Sequence, residues 1–286
     1  LIIDLEEKRT PDEVERLLAD AVAKRGVSTI VITEKTPELE AITPILYTLS
    51  FSSSDLDVIS MEELYEDLFD RIPLSSVEHG WFLKHMSREP SRIYETAKRV
   101  LDILIASLLF LVSLPFYPFV WLAITLEDGG PLFIRQERVG RHKKLIPIYK
   151  FRTMNGNDTG DAVLNSKLVI TRVGKFLRKT RIDEFPQLLS VIQGGQSLVG
   201  PRPELPALAA LYATQITNYD MRSLVPPGLS GWAQLYHHDH PHHGVAIDET
   251  REKLSYDLFY VKNRSVLLDL EIALKTIKIL LSRVGT

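Results

Sequence analysis

Hydrophobic positions in the first part of the chain change period several times. Residues 1–5 (Leu-Ile-Ile-Asp-Leu) have the pattern of a strand. Thr10-Pro11 opens a helical pattern over residues 11–24, with Thr10 as cap and Pro11 at the first helical position. Residues 29–33 (Thr-Ile-Val-Ile-Thr) are β-branched and predict a buried strand. Residues 38–49 predict a second helix and residues 56–59 a third strand. Strands alternating with helices predict a parallel α/β sheet. A dinucleotide site needs a glycine-rich turn after a strand, and Gly26 and Gly80 are the only glycines before residue 91. Residues 1–65 therefore read as a structural or regulatory domain, and residues 66–92 as a helical connector.

The pattern breaks at Ile103. No charged residue occurs over residues 103–126, a stretch that as a helix spans roughly 36 Å against a hydrocarbon core of about 30 Å. Pro115 falls in its middle, with Pro118 close behind. Lys98 and Arg99 precede the run, and Arg135, Arg138, Arg141, Lys143 and Lys144 follow it. Positive charge marks the cytoplasmic flank of a membrane segment, and here both flanks carry it. The expectation is a helix over residues 100–126 that breaks at Pro115, enters a membrane and returns to the same face. Ser113 is placed to satisfy a freed carbonyl. A kinked spanning helix and a buried core hairpin are the competing readings. Residues 266–284 predict an amphipathic helix that lies in the interface or packs on the domain.

Composition narrows the class. The 286 residues allow about two domains. With 45% hydrophobic and 25% charged residues, the chain is neither disordered nor a polytopic membrane protein. A net charge of -3 gives no whole-chain field toward nucleic acid. The absence of cysteine excludes disulfides, thiolate metal sites and a cysteine nucleophile. The chain begins at Leu1 rather than Met, which reads as a fragment whose natural start lies upstream, and no signal-peptide pattern occurs at this end. Charge is uneven: residues 131–154 and 165–181, including Lys167, are strongly basic. Beside an apolar run, such stretches suit anionic headgroups or a phosphorylated ligand.

Four strings carry candidate chemistry. In Arg181-Ile182-Asp183-Glu184-Phe185-Pro186-Gln187, the two carboxylates fall at or near a helix N-terminus, which favours their ionised form. They can share an ion or a phosphate if Asp183 lies just outside the helix; an ordinary N-cap aspartate is the alternative. In Gly200-Pro201-Arg202-Pro203, the flanking prolines exclude a helix or central strand and present Arg202 on stiff backbone, suited to bidentate phosphate binding. In Tyr149-Lys150-Phe151-Arg152-Thr153-Met154, strand geometry places Lys150 and Arg152 on one face. Tyr236-His237-His238-Asp239-His240-Pro241-His242-His243 concentrates histidine. Lacking a fixed helical spacing, this string reads as a loop near an active site ahead of a dedicated metal site.

Together these strings resemble the bacterial sugar transferase family, the monotopic phosphoglycosyl transferases. The resemblance rests on Lys98-Arg99-Val100-Leu101-Asp102, Arg135-Gln136-Glu137-Arg138-Val139-Gly140, Lys150-Phe151-Arg152-Thr153-Met154, Asp183-Glu184-Phe185-Pro186-Gln187, Val199-Gly200-Pro201-Arg202-Pro203, Pro227-Gly228, Gly231-Trp232 and Tyr256-Asp257. It implies an α/β chain: a partial Rossmann-like N-terminal domain, then a mainly helical transferase domain over residues 93–286 with a re-entrant membrane helix. The implied reaction moves a sugar 1-phosphate from a UDP-sugar to undecaprenyl phosphate and releases UMP, starting an exopolysaccharide, O-antigen or capsule-type glycan. The resemblance makes Asp183 a nucleophile that forms a phosphosugar adduct, and pairs it with Glu184 at Mg²⁺. Lys150, Arg152, Arg202 and Asp257 then line the substrate site. The implied location is the cytoplasmic face of a bacterial inner membrane, with lipid as a partner, nucleic acid excluded and room for a homo-oligomer. Two features depart from the family. Ser113-Leu114-Pro115 has a residue between the usual adjacent Ser and Pro, and the histidine-rich loop replaces more ordinary residues. A catalytically silent membrane scaffold and a histidine-cluster metallohydrolase are the alternatives from other classes.

Overall fold

The computed structural model describes residues 10–33, 39–52, 56–76, 92–155, 168–236 and 246–284. The expected strand at residues 1–5, Lys167 and the cluster His237–His243 lie outside the described residues. The chain divides into two compact units, Leu1–Ser76 and Val77–Thr286.

The first unit runs α1 (Pro11–Arg25), β1 (Thr29–Ile32), α2 (Leu39–Ser52), β2 (Asp57–Ser60) and α3 (Met61–Phe69). Thr10 caps α1 in a reciprocal box with Glu13, so two orphan amides at the helix start are satisfied. β1 and β2 pair in parallel, Thr29 opposite Asp57, with α2 as the crossover. The core is Val14, Leu18, Ile42, Ile45 and Leu46, with Ile30 and Ile32 of β1 packed against it. The expected buried strand is thus covered on one face only: Thr29 and Val31 are exposed. Among the described residues this sheet has two strands, so one β-α-β step stands where the sequence suggested a larger parallel sheet.

The second unit is mostly helical, with two further two-stranded sheets among the described residues. Among the described residues it begins with α4 (Arg92–Ser113) and α5 (Phe116–Asp128), bent by 56° at the break between them. Pro115 cannot donate a backbone hydrogen bond, and Ser113 Oγ donates to the Phe110 carbonyl at 2.7 Å beside it. Among the described residues no single helix is long and apolar enough to cross a membrane, but this bent pair has the length and composition to do so. Its inner face packs on the unit. Ala106 meets Leu188 and Val191, while Val120 and Ile124 meet Phe151 and Leu177. Its outer face exposes Leu104, Leu108, Leu111, Val112, Phe119, Trp121 and Leu126.

Both arms of the pair are tied to the same unit by polar contacts. On α4, Lys98 pairs with Asp269 at 2.9 Å. Arg99 donates to the carbonyls of Val191 and Ile192 at 2.7 Å each. The buried Asp102 accepts from Ser197 Oγ at 2.7 Å and Leu198 N–H at 3.2 Å. At the end of α5, Glu127 accepts from the first amides of a later helix, Arg172 N–H at 2.6 Å and Val173 N–H at 3.0 Å, and Asp128 pairs with Arg152.

The rest of the unit follows. β3 (Phe133–Val139) and β4 (Leu145–Phe151) form an antiparallel ladder. α6 (Arg172–Thr180), a 3-10 turn (Ile182–Glu184) and α7 (Gln187–Gln193) come next. β5 (Ser197–Val199) pairs in parallel with β6 (Gly228–Ser230) across α8 (Pro206–Gln215) and a further 3-10 turn (Tyr219–Leu224). α9 (Trp232–Tyr236), α10 (Ile247–Asn263) and α11 (Val266–Val284) close the chain. Trp232, Tyr256, Tyr260, Val261 and Ile272 share a core with Val199 of β5.

Candidate active site

Asp183 and Glu184 stand on the 3-10 turn Ile182–Glu184, between α6 and α7. The sequence placed them at a helix start. The structure puts them one turn earlier, because α7 begins only after Pro186. Arg181, just before the turn, has a left-handed backbone with φ 58°. This is uncommon for a residue with a side chain and is often found at functional sites. Lys150 comes from β4, opposite Ile134 of β3.

Arg202 sits in an irregular segment pinned from several directions. Gly200 N–H donates to the Ser230 carbonyl at 2.8 Å, Gly228 N–H to the Pro201 carbonyl at 3.0 Å, and Val139 N–H to the Glu204 carbonyl at 2.9 Å. Arg222 Nη2 donates to the Arg202 carbonyl at 2.9 Å, and Arg138 donates to the Pro203 carbonyl at 3.4 Å. Prolines on both sides remove backbone donors from the segment itself, so its order depends on these outside partners.

Three cations converge on one carboxylate oxygen. Glu184 Oε1 lies 3.0 Å from Arg202 Nη2, 3.5 Å from Lys150 Nζ and 3.8 Å from Arg181 Nη1. Burial alone would raise the Glu184 pKa, but the charges of Arg202, Lys150 and Arg181 outweigh it and hold the group at about 2. Lys150 is pushed down to about 8 by burial, against the pull of Glu184 and with repulsion from Arg202 and Arg138. Asp183 moves upward, first through burial and then through Glu184, with Lys150, Arg181 and Arg178 opposing. Asp183 is 8% exposed, and its Oδ1 is buried without a hydrogen-bond partner. A charged, poorly solvated oxygen with no partner, next to a surplus of cations, suits an anionic electrophile such as a phosphoryl group.

The other two expected site residues are placed differently. Arg152 follows the last residue of β4, so the alternation that puts Lys150 in the cluster does not extend to it. Its Nε donates to the Pro131 carbonyl at 3.0 Å and its Nη2 pairs with Asp128, bracing the end of α5. Asp257, on α10, is buried and pairs with Arg222 Nη2 at 2.8 Å. It reaches the site through Arg222, which holds the Arg202 carbonyl and donates to Tyr219 Oη at 2.7 Å.

Arg222 was not singled out by sequence reasoning, and nothing around Met221-Arg222-Ser223 marks it; Tyr219 is on its own turn, but Asp257 and the Arg202 carbonyl come from distant segments. Arg138 and Gln136 had a weak signal. They share the face of Ile134 on β3, and Gln136 is buried and accepts from Arg138 Nη2 at 2.8 Å.

Among the described residues no group of three or more His, Cys, Asp or Glu side chains could hold a metal ion. A divalent ion of the magnesium type needs less protein, since one or two carboxylates and substrate phosphates complete its shell. The free Asp183 Oδ1 fits that demand, whereas Glu184 is already engaged by cations.

The description "bacterial sugar transferase" matches residues 93–283, and the chain belongs to that family. It is 36% identical over 237 residues to the UDP-N-acetylgalactosamine-undecaprenyl-phosphate N-acetylgalactosaminephosphotransferase of Aeromonas hydrophila, covering 80% of this chain and 53% of that protein. It is 36% identical over 191 residues to the UDP-glucose:undecaprenyl-phosphate glucose-1-phosphate transferase of Escherichia coli K12, covering 65% of this chain and 40% of that protein. A protein of the same description from Caulobacter vibrioides is 37% identical over 201 residues, covering 68% of this chain and 73% of its own length. The chain thus spans about half or less of the first two relatives.

Proposed function

We propose that this chain transfers a sugar 1-phosphate from a UDP-sugar to undecaprenyl phosphate at a membrane surface, releasing UMP. The observation that carries the proposal is the buried Asp183, with a free Oδ1, beside a Glu184 held by Lys150, Arg181 and Arg202. The names of the relatives, which pair UDP-sugars with undecaprenyl phosphate, point to the same substrates.

The reaction has two displacements. An Asp183 carboxylate oxygen attacks the phosphorus next to the sugar, forming an acyl phosphate bond. The bond from that phosphorus to the bridging oxygen breaks, and UMP leaves with the electron pair. An oxygen of undecaprenyl phosphate then attacks the same phosphorus and displaces Asp183, giving undecaprenyl diphosphosugar. Arg202 and Lys150 offset the charge that builds on the phosphoryl oxygens, and Glu184 keeps both in place. Arg222 and Asp257 act as positioning residues through the Arg202 backbone. Mg²⁺, held by Asp183 with Glu184 beside it, supplies neutralisation of the diphosphate when bound.

The bent pair α4–α5 is proposed as a re-entrant membrane anchor with the site on the cytoplasmic face of the inner membrane. The first unit is proposed as a partial Rossmann-like domain without a dinucleotide. The product would begin an exopolysaccharide, O-antigen or capsule-type glycan.

Asp183→Asn tests the chemistry. With a UDP-sugar panel and undecaprenyl phosphate, the variant is expected to release no UMP and to form no phosphosugar adduct by mass spectrometry. Wild-type turnover in Asp183→Asn would remove the covalent route. EDTA is expected to stop UMP release and added Mg²⁺ to restore it.

A further inference from the structure

A second pocket, of about 240 Å³, lies against the polar first turns of α4. None of Lys150, Asp183, Glu184 or Arg202 lines it; Lys98, Arg99, Arg141 and Arg264 do. The acids along its wall do not balance these charges. Asp102 is committed to Ser197 Oγ and Leu198 N–H. Glu95 reaches Arg264 Nη2 at only 3.8 Å. Lys98 is matched by Asp269, which lies 2.9 Å away. Arg99 and Arg141 donate to carbonyls, which carry no formal charge: Arg99 to Val191 and Ile192, and Arg141 to Leu224 at 3.2 Å.

Two buried polar atoms at this pocket lack a hydrogen-bond partner: Arg264 Nη1 and Gln196 Oε1. The Gln196 residue is 1% exposed. Buried donors and acceptors left unmade cost stability and call for an occupant. Arg264 Nη1 needs an acceptor, whereas Gln196 Oε1, itself an acceptor, needs a hydroxyl; an occupant that offers both and adds negative charge is an oxyanion carrying an O–H, and a phosphate group suits a cluster of arginines best.

The pocket also has a position. Val100 and Leu101, on the same turns of α4, are 50% and 44% exposed, at the start of the apolar outer face. We infer that this pocket is a second anion site that binds a phosphate group, separate from the Glu184 cluster. The group can belong to a lipid headgroup or to free phosphate.

The test uses the full chain and does not depend on turnover. Hydrogen exchange is followed in detergent as inorganic phosphate is titrated. Slowed exchange is expected around residues 94–102 and 194–197, and Arg264→Gln is expected to raise the phosphate concentration required by roughly tenfold or more. Arg141→Gln serves as a second variant should Arg264→Gln fail to fold, and is expected to act in the same direction. Vesicles of phosphatidylcholine with and without phosphatidylglycerol separate the sources. Protection of these segments by phosphatidylglycerol vesicles beyond that given by phosphatidylcholine alone, weakened in Arg264→Gln, identifies a headgroup; protection by free phosphate with no difference between the two vesicles identifies a soluble ligand. Protection confined to the segments around Lys150, Glu184 and Arg202 overturns the inference, as does a foldable variant that responds like the wild type.

Discussion

Glu184 holds Lys150 only while that side chain keeps its proton. With its pKa lowered to about 8, Lys150 is charged below that pH and neutral above it. Asp183 works in the opposite sense: its pKa is raised, so it takes up a proton at a higher pH than an ordinary carboxylate, and in the proposed mechanism it then loses its nucleophilic role on the acid side. Transfer is therefore expected to rise with pH as Asp183 ionises and to fall again near pH 8. Lys150→Arg keeps the charge through the alkaline range and is expected to remove the falling limb while leaving the rising one. A pH profile of kcat/KM for both proteins checks this; an unchanged alkaline limb in the variant would assign it to another group. Asp183, Glu184 and Arg202 were legible because their meaning is local: a carboxylate pair before a proline, and an arginine between two prolines. Arg222 was not, since two of its partners, Asp257 and the Arg202 carbonyl, lie far from it in sequence and only Tyr219 is on its own turn.

At the scale of elements, the short parallel pair β5–β6 carries the backbone that presents Arg202. A Cβ placed on Gly228 would collide with the backbone nitrogen and, at 2.6 Å, the backbone oxygen of Gly200. Neither group is a flexible side chain that could swing aside. Gly228→Ala is expected to cost about 1–3 kcal/mol, the usual range for overpacking. It should also lower transfer, because the strain falls on the segment holding Arg202; thermal unfolding and UMP release on the same preparation measure the two effects. Full stability together with full activity would show that the two strands part more easily than their contacts suggest. The element pattern itself was largely readable. Thr10-Pro11 marked the start of α1, and the charge-free run marked α4 and α5. Two placements were not. Arg152 looked like a partner of Lys150 only while β4 was assumed to continue, and the expected buried strand proved half-covered because its sheet, among the described residues, offers helices to one face alone.

At the scale of the molecule, the placement of α4–α5 turns on what holds its two arms. A spanning helix separates its ends by the bilayer, so a domain bound to both ends would have to stand on both sides. Here Lys98, Arg99 and Asp102 at one end and Glu127 and Asp128 at the other make their polar contacts within Val77–Thr286. The bend of 56° suits a shallow wedge. If both outer ends rest at the headgroup level, each arm tilts about 28° into the lipid. Its apolar length of about 16–20 Å then reaches roughly 8–9 Å deep, well short of a core about 30 Å thick. That is the depth the proposed re-entrant anchor would have, and the polar ties of both arms to one unit are what support that proposal against a kinked span. The chain contains no cysteine, so single replacements report without background. Arg92→Cys and Arg135→Cys, flanking the pair, are expected to react with a membrane-impermeant maleimide from the same side of sealed membrane vesicles that carry the protein. Labelling of the two positions from opposite sides would mean that the pair crosses the bilayer, and the site would then need a different route to the proposed lipid substrate.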